Sequence, residues 1–262
     1  MLGPGWTDAV ASLAACLLAV IATPAGVSGA VLLLPFQVSV LGTPSPAVTP
    51  TNLLYNVIAT PGAIYRYWRQ GQTGGRLAAS LIAGTLPGVI TGSIIRVELL
   101  PGHRTFDLVV AAVLIPLGIW LAVTRPPSAS QPEPNQFSGR RLPAPLIVAL
   151  AAVVGCIGGI YGIGGGSILS PILIGTGRQP ADVAPAALSS TFVTSVAGVI
   201  TFLVLSFRQH GPVAPDWPTG IALGIGGLAG AYTGARIQAR LPELAIRRVL
   251  GVLVVAIGIR YL

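Results

Sequence analysis

The chain has 262 residues, of which 53% are hydrophobic and only 8% are charged, and its mean hydropathy is +0.80. About a quarter of the residues of a soluble domain are charged, so this composition excludes a soluble domain and indicates a polytopic membrane protein. The net charge of +8 does not indicate nucleic-acid binding, because all fifteen cations are arginines between or at the ends of apolar segments. Arginines at the ends of membrane segments are what the positive-inside rule describes, whereas a nucleic-acid-binding protein would have a basic patch or stripe.

Eight apolar segments follow one another along the chain. They are 8–42, 46–66, 77–95, 105–124, 144–177, 182–207, 218–236 and 244–262. The stretch between the fourth and the fifth segment is rich in proline and polar residues, which is typical of a linker. We therefore predict an all-α membrane protein with a first transmembrane repeat over 1–124, a polar linker over 125–143 and a second repeat over 144–262.

The two halves repeat each other's glycines and prolines. A displacement of 136 residues aligns Gly26 with Gly162, Gly29 with Gly165, Pro35 with Pro171 and Gly62 with Gly198. A displacement of 142 aligns Gly84, Gly88 and Gly92 with Gly226, Gly230 and Gly234. Glycines four residues apart predict close helix packing. Paired interruptions in two apolar halves are typical of secondary transporters, whose broken helices line a solute site near the bilayer midplane.

The first segment of each half is too long for one crossing. As a helix, about 35 residues would extend roughly 50 Å, whereas the hydrocarbon core is about 30 Å thick. A glycine motif interrupts each of these segments, which predicts a hairpin with its tip buried in protein. Hairpins place eleven of the fifteen arginines on one face and four on the other, whereas single passes give eight and seven. We therefore predict 8–10 transmembrane segments in two inverted repeats, with a cytoplasmic linker and both termini outside.

The glycine motifs are the first candidate site. Half-helices that begin near Gly29 and Gly166 would direct unpaired N–H groups and positive dipole ends into the membrane, where they could bind an anion. Tight helix packing alone is the alternative. The candidate ligands in the motifs are Gly26, Ser28, Gly29, Gly164, Gly165, Gly166 and Ser167.

Polar residues in the second segment of each half extend this site. Asn52, Asn56 and Thr60 share one helix face, and Ser190, Thr191, Thr194 and Ser195 lie at a comparable depth in the other half. Such groups often bond only to neighbouring helices, but an unpaired buried amide is costly. We therefore add Asn52, Asn56, Ser190, Thr191 and Thr194 to the predicted substrate site. Leu188 and Phe192 replace the asparagines in the second half, so the site is predicted to be asymmetric.

No Asp, Glu, Arg or His falls near the middle of a segment. An anion would then be held by dipoles, amides and hydroxyls. We also predict no cofactor, because Cys16 and Cys156 lack the spacing partners of a metal site.

Residues 26–29 spell GxSG, the nucleophile motif of rhomboid proteases. However, His103 and His210 lie in polar connections, where neither could serve as the required base. We therefore expect no enzyme, with the protease as the least favoured alternative.

The motif Gly162-x-Gly164-Gly165-Gly166, with Pro171 after it and Ala187-Leu188-Ser189-Ser190 in the next helix, resembles the sulfite exporter TauE/SafE family of permeases. The resemblance covers essentially the whole chain. It implies transport of a small sulfur oxyanion or organosulfonate, such as sulfite, thiosulfate or sulfoacetate, across a bacterial inner membrane. The first half departs from the pattern at 26–30 and at Thr51-Asn52, which leaves the substrate open. The expected partners are the lipid bilayer and a small anion, not nucleic acid, and a homodimer stays open. The alternative within transport is another small solute.

Overall fold

The computed structural model describes residues 4–44, 46–72, 74–100, 144–175, 180–208 and 213–238, together with isolated positions elsewhere. The predicted linker lies outside these residues, as does most of the fourth and the eighth apolar segment. The described residues form helices and no strand. The protein is therefore all-α, as predicted.

Eight α-helices and one 3-10 turn make up the described part of the chain. In the first half these are α1 (Pro4–Ala22), the 3-10 turn (Thr23–Ala25), α2 (Ala30–Ser39), α3 (Val48–Arg69) and α4 (Gly75–Glu98). In the second half they are α5 (Ala144–Tyr161), α6 (Gly165–Gly175), α7 (Pro180–Ser206) and α8 (Trp217–Ile237). Among the described residues, three stretches are long and apolar enough to cross a membrane, namely Asp8–Ala25, Gly75–Glu98 and Ala181–Ser206. These features confirm a polytopic membrane protein.

Glycines set the direction in which α4 and α5 pack. Gly84 lies against the carbonyl of Val148, and Gly92, two turns later on α4, lies against the carbonyl of Cys156. Residue numbers rise together along both helices, so α4 and α5 are parallel. The absence of side chains at these glycines lets the two backbones approach closely.

The repeated glycines of α8 do the same against α1. Gly226 lies against Ser12, and Gly234 lies against Val20. Helices α1 and α8 are therefore parallel, as α5 and α4 are, and each pair joins the first half of the chain to the second.

Helix α3 also runs parallel to α8, because Gly220 lies against Leu54 and Gly224 against Ile58. Helix α7 runs parallel to α4 by the same criterion, since Thr85 bonds to Ser190 and Val89 lies near Gly198.

The central pair, α3 and α7, is antiparallel. Leu53 near the start of α3 lies against Gly198 in the second half of α7, whereas Tyr67 near the end of α3 packs in one cluster with Ala184 near the start of α7. Thus α1, α3 and α8 point one way, and α4, α5 and α7 point the other. Matching the halves pairs α1 with α5, α3 with α7 and α4 with α8, and each pair is antiparallel, so the repeats are inverted.

These directions also identify the hairpins. Because α1 and α3 are parallel, the chain must return across the protein between them, and α2 lies in that return. Because α5 and α7 are parallel, α6 lies in the corresponding return of the second half. Each long apolar segment is therefore a hairpin with a short second arm.

Candidate functional site

The first glycine break connects α1 to α2. The 3-10 turn ends at Gly26, whose φ of 70° is in the left-handed region that glycine adopts without steric cost. A Cβ at this position would lie 2.8 Å from the Cα of Ala184, so even a methyl group would displace α7. Gly26 therefore brings the start of α2 against the second half of the protein.

The second break connects α5 to α6. Gly162 has a φ of 81°, and a Cβ there would lie 2.5 Å from the carbonyl oxygen of Thr49. Helix α6 begins at Gly165, and a Cβ on Gly166 would collide with the carbonyl of Ala187. The first turn of α6 therefore packs directly on the backbone of α7. Since first-turn N–H groups lack intrahelical acceptors, this turn brings donors and the positive end of a helix dipole into the interior.

The two breaks touch through a pair of serines. The backbone N–H of Ser28 donates to Ser167 Oγ at 3.1 Å. Ser28 Oγ accepts from the N–H of Ala30 at 3.2 Å and donates its proton to Asn56 Oδ1. Ser167 Oγ in turn lies 3.4 Å from Thr191 Oγ1. Ser28, Asn56, Ser167 and Thr191 thus form one buried polar group, which we call the central cluster.

Two polar groups at the central cluster have no partner. Asn56 is fully buried and its Oδ1 is taken by Ser28, but its Nδ2 makes no hydrogen bond. Ser195 is also fully buried, its Oγ is unpaired, and a Cβ on Gly164 would lie 3.1 Å from that oxygen. An unpaired buried polar group costs about 1–3 kcal/mol. The two groups together can donate to an acceptor-rich ligand beside the second break.

The other predicted side chains are buried but bond elsewhere. Ser190 Oγ pairs with Thr85 Oγ1 at 2.8 Å, which joins α7 to α4. Thr194 Oγ1 donates to the carbonyl of Ser190 at 2.7 Å, within its own helix. Asn52 Nδ2 donates to the carbonyl of Ala30 at 3.0 Å. Ser190 and Asn52 therefore join neighbouring elements around the central cluster, whereas the Thr194 hydroxyl bonds only within α7. Gly26 and Gly29 shape the backbone beside the cluster.

Sequence reasoning missed Ser195 and Gln37 as site residues. Ser195 has the same residue type and depth as the other hydroxyl residues of α7, so the sequence does not distinguish it from them. Gln37 is fully buried and is the one amide in the apolar helix α2, which is the signal that could have identified it. Its Oε1 has no partner.

Among the described residues, Arg96 is the one charged residue that is fully buried. Its Nε donates to Thr49 Oγ1 at 3.3 Å, and its Nη1 donates to the carbonyl of Leu100. It lies in the last turn of α4, at the end of the protein opposite Arg66 and Arg69, and its partner Thr49 lies against Gly162 of the second break. Its position four residues after the packed glycine face of α4 is the signal in the sequence for this burial.

The tip of the first break is held by side chains of three other elements. The carbonyls of the 23–25 turn accept from Tyr67 Oη at 3.4 Å, Gln238 Nε2 at 2.7 Å and Ser170 Oγ at 2.8 Å. Because a helix leaves its last carbonyls unpaired, these bonds satisfy acceptors that lipid could not. They also join the first hairpin to α3, α6 and the end of α8.

The donor set fits an anion better than a nucleophilic reaction. The Ser28 hydroxyl proton is directed to an amide oxygen, which is not a base. His103 and His210 lie outside the described residues. Within those residues, no group of three or more His, Cys, Asp or Glu could hold a metal ion.

Comparison with known proteins agrees with the fold. The model of the family "Sulfite exporter TauE/SafE" matches residues 11–261. A probable membrane transporter protein of Xylella fastidiosa strain 9a5c is 27% identical over 244 residues, which cover 89% of this chain and 87% of the relative. The counterpart from strain Temecula1 is 28% identical over 239 residues, with the same coverage. The probable membrane transporter protein YunE of Bacillus subtilis is 30% identical over 127 residues, 48% of this chain and 43% of the relative. No solved structure matches the chain significantly. The match over nearly the whole chain, on an all-α membrane fold, shows that this protein is a membrane transporter of the sulfite exporter TauE/SafE family.

Proposed function

We propose that the protein is a permease for a small anion, a sulfur oxyanion or organosulfonate of the sulfite, thiosulfate or sulfoacetate class. The observation that carries this proposal is that two buried donors lack partners: Asn56 Nδ2, whose residue is linked through Ser28 to Ser167 in the first turn of α6, and Ser195 Oγ, which lies near Gly164. An oxyanion offers several acceptors and a diffuse negative charge, which neutral donors and a helix N-terminus can bind. The name of the family supports a sulfur oxyanion as the cargo.

The proposed site comprises the backbone of the two breaks with Ser28, Asn56, Ser167 and Thr191, and Ser195 in addition. Asn52 and Ser190 act as its supports, and Thr194 is a neighbour on α7 whose hydroxyl bonds within its own helix. Because the central cluster joins the two inverted halves, rocking of one half against the other would expose it to each side of the membrane in turn.

The proposed location is a bacterial inner membrane, with the 125–143 linker in the cytoplasm and both termini outside. Arg66, Arg69 and Arg76 lie at the end of the protein where α3 ends and α4 begins, and Arg236 lies at the same end of α8. The positive-inside rule favours that end as the cytoplasmic one. We propose no enzymatic activity, no nucleic-acid partner and no cofactor. A homodimer stays open.

Flux measurements in proteoliposomes test the proposal. Protein-dependent uptake of sulfite, thiosulfate and sulfoacetate should be measured with and without a pH gradient, against empty liposomes. We expect flux of at least one anion, competed by the others. Absence of flux for all three would refute the substrate class, and flux of a neutral or cationic solute that these anions do not inhibit would favour the alternative of another small solute.

The Gly165→Leu variant tests whether the second break is the site. A Cβ on Gly165 would lie 2.5 Å from Thr85 Cγ2, so a larger side chain must displace the start of α6. We expect correctly inserted protein without flux. A matched control is Ala79→Leu, because Ala79 lies on the exposed face of α4, where a larger side chain meets no packed backbone. Unchanged flux in Gly165→Leu would make the second break purely structural.

A further inference from the structure

Gln37 on α2 is a fully buried amide at one end of a short chain of hydrogen bonds, which we call the relay. Its Nε2 donates to Asn52 Oδ1 at 3.0 Å, and Asn52 Nδ2 donates to the backbone carbonyl of Ala30 at 3.0 Å. Gln37 Oε1 has no hydrogen-bond partner although the residue is completely inaccessible to solvent. The relay therefore ends in one unpaired atom.

The relay fixes the identity of that atom. A backbone carbonyl only accepts, so Asn52 must present its amino group to Ala30 and its Oδ1 to Gln37. Gln37 must then donate with Nε2, which leaves a carbonyl oxygen unpaired. An oxyanion cannot satisfy this oxygen, because both are acceptors.

The unpaired acceptor lies in the neighbourhood of the unpaired donor of the central cluster. Asn52 and Asn56 are one helical turn apart on the same face of α3, which separates their Cβ atoms by about 6 Å. Gln37 bonds to the first of these asparagines, and the second holds the free Nδ2. A small ligand that bridges these two neighbouring amides would meet a donor from Asn56 and an acceptor from Gln37.

We infer that Gln37 is a specificity-determining residue that accepts a hydrogen bond from a hydroxyl or amine of the transported anion. This inference rests on the proposed function and narrows the substrate to an oxyanion with a separate hydrogen-bond donor, as in a hydroxyalkanesulfonate. The second half has Leu173 at the position of Gln37 and Leu188 at that of Asn52. The relay therefore belongs to the first half alone and gives the bound anion one orientation.

Two sulfonates of matched shape provide the test. 2-Hydroxyethanesulfonate carries a hydroxyl where 1-propanesulfonate carries a methyl group, and both are monoanions across the pH range of the assay. With wild-type protein in proteoliposomes, we expect kcat/KM to favour the hydroxylated anion by about tenfold, the worth of one buried hydrogen bond. Gln37→Met, which keeps the length and removes the amide, should abolish this preference, so that kcat/KM for the hydroxylated anion falls about tenfold relative to kcat/KM for propanesulfonate.

Each other outcome has a separate meaning. Equal loss of both fluxes in Gln37→Met would assign Gln37 to packing and overturn the inference, while the proposed function stands. Flux that changes only in its dependence on sodium would assign Oε1 to a coupling cation and also overturn it. If Gln37→Met does not fold, the wild-type preference decides, because equal use of the two sulfonates refutes the inference. Absence of flux for both anions and for sulfite in the wild type would refute the proposed function as well.

Discussion

Replacing Asn56 by Asp reverses the chemistry of the site while conserving its shape. The acceptor that receives the Ser28 proton is retained, whereas the unpaired Nδ2 becomes a carboxylate oxygen. The substrate loses one charge-assisted hydrogen bond, worth about 1.5–3 kcal/mol. It also gains the repulsion of a second negative charge, about 4 kcal/mol at 4 Å with an effective dielectric constant of 20. A total of about 5–7 kcal/mol corresponds to four or five orders of magnitude in affinity.

We therefore expect no detectable flux of propanesulfonate by Asn56→Asp at pH 8. Lowering the pH protonates the carboxylate, which removes the charge and supplies an O–H donor, so flux should return in acid. Propanesulfonate itself does not titrate there, and wild-type flux should not vary in the same way. The assay is counterflow of radiolabelled anion in proteoliposomes over a pH series.

Thr194→Val is the matched control, because the Thr194 hydroxyl bonds only to carbonyls of its own helix. It should transport as the wild type does at every pH. Flux by Asn56→Asp that equals that of Thr194→Val at pH 8 would refute Asn56 as an anion ligand.

Three further predictions concern stability and packing. Ser195→Ala removes an unpaired buried hydroxyl, so it should raise the free energy of unfolding by about 1–3 kcal/mol while increasing KM for the anion; a loss of stability would contradict the burial argument. Gly92→Ala should lower the free energy of unfolding by about 1–3 kcal/mol, because its Cβ would overlap a backbone carbonyl of α5. The control is Gly71→Ala. A Cβ on Gly71 meets no atom within 4 Å, so this variant should cost only the strain of its left-handed backbone. Gln238→Leu should lower the free energy of unfolding by about 1 kcal/mol, since it removes a 2.7 Å hydrogen bond to the 23–25 turn. Thermal unfolding in detergent measures all three variants. An unchanged unfolding midpoint for Gln238→Leu would show that this bond does not contribute to stability.

The inverted architecture could be predicted from the sequence because it depends on one-dimensional patterns. Segment lengths of about 35 residues exceed one crossing, and arginines partition between the two sides of the membrane. Repeated glycines also mark the close helix contacts in advance, since Gly84, Gly88 and Gly92 pack on α5 while their counterparts pack on α1. These signals are local or periodic, so they survive without knowledge of the packing.

The candidate site could be predicted only in part from the sequence. The sequence singled out Ser28, Asn56 and Ser167 as polar residues in apolar segments, but Ser190 and Thr194 have the same appearance and bond within the protein. Whether a buried hydroxyl has a partner depends on which helix faces it, and residue type does not encode that. The sequence shows Gln37 as the one amide of the apolar helix α2, but that its oxygen is unpaired depends on the hydrogen bond from Gln37 to Asn52.

The sequence by itself determined the membrane class, the duplication, the two glycine breaks and, through its arginines, their hairpin form. These follow from the cost of charge in lipid and from the backbone freedom of glycine, which depend on composition and spacing. Only the tertiary structure decided that the two breaks meet at Ser28 and Ser167, and that Asn56 and Ser195 are left with unpaired polar groups. Hydrogen-bond satisfaction is a property of three-dimensional neighbours, and it separates the buried residues that keep an unpaired polar group from those that bond within the protein.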